Sequence, residues 1–208
     1  MKFTSSKWMV FGAALAMTFA TVNANAQSVR HRSVVKKNAA GGTTAARGTV
    51  ATGANGGTVA HGAVVASNGQ GGAVVARGTA VKGPNGGAAA RGSYVAKDGQ
   101  GNVQSGSAAA FKGPNGAQGA RKSTTQKNTD GSVLHQGALA ASGKNGSVQS
   151  SGSVTKDANG NVNGQRTTDA TGKNGNTYQG TTTDTNGQIT HTATCTDASG
   201  HSIPCKKP

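Results

Sequence analysis

The chain predicts an all-β fold, a repetitive antiparallel β-meander or β-solenoid of ~15-residue strand–turn units. One turn recurs at a fixed interval. Gly-X-Asn-Gly begins at Gly53, Gly83, Gly113 and Gly143, a 30-residue double repeat, and returns at Gly172. Related turns lie halfway between them: Asn68-Gly69-Gln70-Gly71, Asp98-Gly99-Gln100-Gly101, Asp130-Gly131 and Asn159-Gly160. Residues between the turns alternate in character. Val148, Ser150, Gly152 and Val154 share one face, and so do Ile189, His191, Ala193 and Cys195, with Thr at 190, 192, 194 and 196 on the other. Period-two alternation is the pattern of a half-buried strand. Helix is disfavoured because Gly interrupts every interval and Val and Thr are poor helix formers.

Four segments follow in order. Residues 1–26 read as a secretory signal peptide, with Lys2 and Lys7 in the n-region, an apolar stretch from Trp8 to Ala20, and Ala24-Asn25-Ala26 as the cleavage site. The apolar stretch is too short for a membrane span, so no transmembrane segment is expected in the mature chain. Residues 27–46 carry Arg30, His31, Arg32, Lys36 and Lys37 and read as a basic flexible arm or an irregular first repeat. Residues 47–187 form the Gly/Asn-rich β-repeat region. Asn-Gly suits two positive-φ positions in a tight hairpin, so Asn55-Gly56, Asn85-Gly86, Asn115-Gly116 and Asn145-Gly146 are assigned to such turns. Residues 188–208 close the chain as a C-terminal cap.

Composition limits what these strands can enclose. The chain has 34 Gly, 33% hydrophobic residues and 3% aromatic residues, and most of the aromatics lie in the leader. After it only Tyr94, Phe111 and Tyr178 remain. Val, Ala and Thr bury little area each at about 25 cal/mol per Å², whereas ordering a residue costs roughly 1–2 kcal/mol. Backbone hydrogen bonding must therefore carry much of the order, and the alternative is a largely disordered chain.

The formal net charge is +15, and every acid is Asp, from Asp98 to Asp197. The stretch before Asp98 is free of acids and holds Arg30, Arg32, Lys36, Lys37, Arg47, Arg77, Lys82, Arg91 and Lys97. A basic excess attracts polyanions. For an exported protein these are lipopolysaccharide, acidic polysaccharide or DNA. The same excess also serves solubility.

The Gly clusters are turns rather than phosphate loops, since none ends in Gly-Lys-Ser/Thr. Calcium-binding β-rolls need an Asp in each turn, which the early turns lack. Without Glu, and with Asp mostly in turns, paired carboxylates for acid–base catalysis do not arise. The five His, at positions 31, 61, 135, 191 and 201, accompany no nucleophile motif. The chain therefore reads as a non-enzyme without a cofactor. His191-X3-Cys195 and His201-X3-Cys205 offer either a zinc site or a Cys195–Cys205 disulfide, and export favours the disulfide.

In leader, repeat and composition the chain resembles secreted Gly/Asn/Gln-rich bacterial surface proteins, including curli-type amyloid subunits. It departs from the curli pattern in unit length and lacks the regular Ser, Gly, Asn and Gln ladder positions, so no functional residue is carried over. The expected role is that of an exported structural or adhesive protein of the bacterial surface or matrix, periplasmic or outside the cell, able to self-assemble and to contact polyanions. The alternative is a soluble polyanion-binding protein that is mostly disordered until bound.

Overall fold

In the computed structural model, which describes residues 28–37 and 41–205, the chain is a single open antiparallel sheet of twelve strands in sequence order. The expected leader, residues 1–26, lies outside the described residues. The strands are β1 (Ser28–Lys37), β2 (Thr43–Thr52), β3 (Thr58–Ser67), β4 (Ala73–Lys82), β5 (Ala88–Lys97) and β6 (Val103–Lys112). They continue as β7 (Gln118–Lys127), β8 (Val133–Gly143), β9 (Gly146–Lys156), β10 (Val162–Gly172), β11 (Thr177–Thr185) and β12 (Gln188–Thr196). The meander holds and the solenoid does not, because each strand pairs only with its chain neighbours.

The basic arm is a correction. Ser28–Lys37 pairs along its whole length with β2, from Ser28↔Thr52 to Lys37↔Thr43. Val29, His31, Ser33 and Val35 alternate with the charged residues, and this period-two pattern suffices once β2 is present as a template. At the other end β12 continues the sheet as a full strand, so the cap proper is the short tail that follows it.

The turns also differ from expectation. Gly56, Gly86, Gly116 and Gly146 have positive φ, but Asn186 is the only non-glycine residue described that does. Asn55, Asn85, Asn115 and Asn145 are therefore not in the left-handed region. At the first of these turns Gly56 N–H donates to Gly53 C=O at 3.0 Å, and Gly53 N–H donates to Gly57 C=O at 2.8 Å. This is a four-residue turn, Gly53 to Gly56, whose last residue is a left-handed glycine, the bulged hairpin form. Pro84 and Pro114 fit it, because proline is confined to negative φ. Two consecutive positive-φ residues occur at Asn186-Gly187, with φ of 51° and 87°.

On the opposite border side chains close the turns. Asn68 Oδ1 accepts from the N–H groups of Gln70 and Gly72, both at 2.9 Å. Asp98 Oδ1 does the same for Gln100 and Asn102, and Asp157 Oδ1 for Asn159 and Asn161. Each turn class thus lines one border, as alternation in a meander requires.

No second layer covers the sheet among the described residues. Ala60 is the one buried apolar side chain, at 4% exposure, and Ser150 the one buried polar side chain. Stability rests on cross-strand pairs, worth roughly 0.2–1 kcal/mol each, added to the backbone ladder.

Candidate polyanion-binding face

Direct cross-strand partners define rows that run across the sheet, and alternate rows point to opposite faces. Arg91 of β5 and Arg121 of β7 both face Ala109 of β6, so they share a row, which His31 and His61 extend through Thr49 and Thr79. Two residues further along, on the same face, a second row holds Arg47, Arg77, Arg166 and His191. Every arginine beyond β1 falls in these two rows, at the middle of its strand.

All five of these arginines are exposed. Their cross-strand neighbours are mostly small: Ser33 and Ala63 beside Arg47, Ala63 and Ser93 beside Arg77, Gly152 and Thr182 beside Arg166. Arg166 Nε donates to Ser150 Oγ at 2.9 Å, and Arg77 Nε to Ser93 Oγ at 3.4 Å. The one ion pair among the described residues is His201–Asp197, so none of the five guanidiniums has a carboxylate partner. Planar forks of this kind bind carboxylate, phosphate and sulfate in bidentate fashion.

Two apolar ridges bound the stripe over β1 to β5. Val29, Val59, Val81 and Phe111 lie on one side of it, and Val35, Val65, Val75 and Val95 on the other. The ridges are six residues apart, about 20 Å at strand rise. Low-dielectric walls beside a row of like charge focus its field. The imidazoles in the stripe are held sideways by threonines on the facing strand. His31 Nδ1 is 2.9 Å from Thr49 Oγ1, His61 Nδ1 3.1 Å from Thr79 Oγ1, and His191 Nδ1 2.9 Å from Thr182 Oγ1.

The acids stand mostly aside. Asp98, Asp130, Asp157 and Asp197 lie in turns and are held below the ordinary aspartate value by the hydrogen bonds they accept. For Asp98 and Asp157 the largest contribution comes from the side chains of Asn102 and Asn161, for Asp130 from Ser132, and for Asp197 from the backbone N–H of His201. Asp169 points to the opposite face. Asp184 lies on the arginine face, where its Oδ1 accepts from Gly187 N–H at 2.8 Å.

Of the cations assigned from sequence, Arg47, Arg77 and Arg91 come together in the stripe. Arg30, Arg32, Lys36 and Lys82 point to the opposite face. Lys37 and Lys97 lie on the arginine face but end their strands. Arg121 and Arg166 belong to the stripe and were missed, because the charge was divided by halves of the chain rather than by faces of a sheet. The missing signal was phase: Arg47 and Arg77, and Arg91 and Arg121, stand one 30-residue repeat apart. Lysine is sorted differently, ending β1, β4, β5, β6, β7 and β9.

Cys195 and Cys205 are bonded to each other, with Cα atoms 5.3 Å apart. Such a bond is compatible with an oxidising, extracellular location. Among the described residues no helix is long and apolar enough to cross a membrane. Neither a protein-family model, nor a curated protein, nor a solved structure matches the chain.

Proposed function

We propose that this chain is an exported, non-enzymatic structural or adhesive protein of the bacterial surface or matrix that holds polyanions against one face of its sheet. One observation carries the reading: five arginines without carboxylate partners occupy two adjacent rows of the same face. An arginine with a structural task finds an acid or a carbonyl, whereas these lie exposed, those of β2, β4 and β5 between apolar ridges. From β2 to β10 the stripe crosses eight strand spacings, about 38 Å. A linear polyanion laid across the strands meets all five.

No Phe, Tyr or Trp lies in the two arginine rows, so the contact lacks a regular aromatic platform for bases. Lipopolysaccharide, acidic polysaccharide and DNA share the required chemistry, repeated anionic oxygens. The test is titration of the mature chain against immobilised alginate, lipopolysaccharide and duplex DNA at 50 and 200 mM salt, conditions between which about six to ten phosphate contacts cost 10³–10⁵ in affinity for DNA. Binding that falls steeply with salt supports the proposal. Absence of binding to all three at low salt contradicts it.

A further inference from the structure

We propose that copies of this chain join head to tail, the outer edge of β12 accepting the outer edge of β1 from the next copy, so that one sheet continues through both. The inference rests on the two terminal strands and does not depend on the arginine stripe.

The direction of the strands permits it. All neighbours are antiparallel and the sheet has twelve strands, so β12 runs opposite to β1. A second copy placed beside β12 by translation therefore presents β1 antiparallel, and the alternation passes unbroken across the junction. Each strand faces its neighbour with little stagger, so the rows also run on. Val35 and Ile189 lie in one row, which also contains Val65, Val75, Val95 and Val154. Continuing the rows sets Val35 of one copy beside Ile189 of the other, and Arg30 beside Thr194.

Exposure marks the same residues. Val35 is 71% exposed and Ile189 69%, whereas Val65, Val75 and Val95, flanked on both sides, are at 51%, 49% and 52%. The two terminal residues are what the row lacks at each end, and joining the edges covers them together.

Charge selects this pairing. β1 carries Arg30, Arg32, Lys36 and Lys37, and charged edges resist pairing with their own kind. A two-fold β1–β1 contact sets Arg30 or Arg32, according to register, against Lys36 or Lys37. β12 has no Lys, Arg or Asp. It receives the basic strand without repulsion, placing Thr192 beside Arg32 and Gln188 beside Lys36.

The tail sets the limit of the docked strand. Ile203 N–H donates to Cys195 C=O at 3.0 Å, Ser202 bridges Thr196, and Cys205 is bonded to Cys195. These contacts cover one end of β12's outer edge, where Ser28 and Val29 of a neighbour would otherwise pair. Among the described residues nothing covers the stretch from Gln188 to Thr194, which leaves it for Arg30 to Lys36 and fixes the register.

Two measurements test the proposal. Val35→Cys and Ile189→Cys are made in separate chains, mixed, and oxidised. Within one chain the two positions lie eleven strand spacings apart, about 53 Å, beyond any disulfide. Covalent dimers from the mixture and from neither chain alone are expected. Dimers from Ile189→Cys alone, or no mixed dimer, overturn the proposal. Independently, Ile189→Lys should abolish concentration-dependent oligomers in analytical ultracentrifugation while circular dichroism keeps its β signal. Oligomers that survive in this folded variant overturn the proposal as well.

Discussion

The ring of Tyr94 lies across Gly106, its direct partner on the next strand, so closely that a Cβ on Gly106 would stand 2.5 Å from Tyr94 Cε1. Phe111 covers its own partner, Gly119, in the same way, and Tyr178 covers Gly180 two residues along its strand. Every Phe and Tyr among the described residues thus rests on a glycine. In a sheet without a second layer, a ring gains burial only by lying flat on the backbone beside it.

Gly106→Val should therefore destabilise the sheet although valine is the better strand former. Displacing the ring is expected to cost about 1–3 kcal/mol, the range for overpacking a well-filled site. Urea denaturation measures the loss, and hydrogen exchange should place it in β5 and β6. An unchanged midpoint would mean that the ring does not depend on the glycine.

The Asp turns should respond to acid only below the ordinary aspartate value of 3.8. Their folded-state values are lowered, so the stabilisation is complete above 3.8 and is lost as pH falls through the depressed value. Amide shifts of Gln100 and Asn102 followed by NMR should titrate with a midpoint under 3.8. Asp98→Ala should remove that transition and leave the shifts of Asn159 and Asn161 unaffected.

Gly86 has a φ of +83° and open space where a Cβ would stand. Gly86→Val meets no steric neighbour, and its cost is backbone strain alone, roughly 1–2 kcal/mol. Only the β4–β5 hairpin should loosen, because units in a repeat array depend on their neighbours. Hydrogen exchange reads this directly: amides of β9 to β11 should keep their protection while those flanking Gly86 lose it.

Replacing Cys195 and Cys205 by Ser opens a loop with a sequence separation of 10. The chain-entropy estimate gives a loss of about 3 kcal/mol. It should fall on the tail, with the amide of Ile203 exchanging first and the repeats upstream retaining theirs. Freed from the tail, the end of the β12 edge at residues 195 and 196 should open to pairing as well, so light scattering should rise.

The repeat made the fold legible. A turn every half-repeat, with alternating Val, Thr and Ser between, leaves strands of about ten residues and little choice but a sheet. Turn type was misread from Asn-Gly alone, although Pro84 and Pro114 have no N–H with which to close a two-residue hairpin around the Asn-Gly that follows. The first strand was hidden because Arg30, Arg32 and Lys36 occupy the alternate positions of a β pattern and read as a charged arm. The arginine stripe stayed invisible for a different reason. It exists only when the register brings Arg47, Arg77, Arg91, Arg121 and Arg166 into adjacent rows, and net charge along the chain carries no information about rows. Cys195 and Cys205 needed no register, since a chain with two cysteines has one internal pairing.

The most direct test compares two variants of equal net charge. In one, Arg47, Arg77, Arg91, Arg121 and Arg166 are all replaced by Ser. In the other, Lys82, Lys97, Lys112, Lys127 and Lys156, which end their strands, are replaced by Ser. Both are titrated against immobilised alginate, lipopolysaccharide and DNA at the same salt concentration, with circular dichroism confirming the sheet. If the stripe holds the polyanion, the arginine variant loses binding by an order of magnitude or more beyond the lysine variant and its salt dependence flattens. Equal losses in the two variants would show that overall charge carries the binding, and would contradict the account.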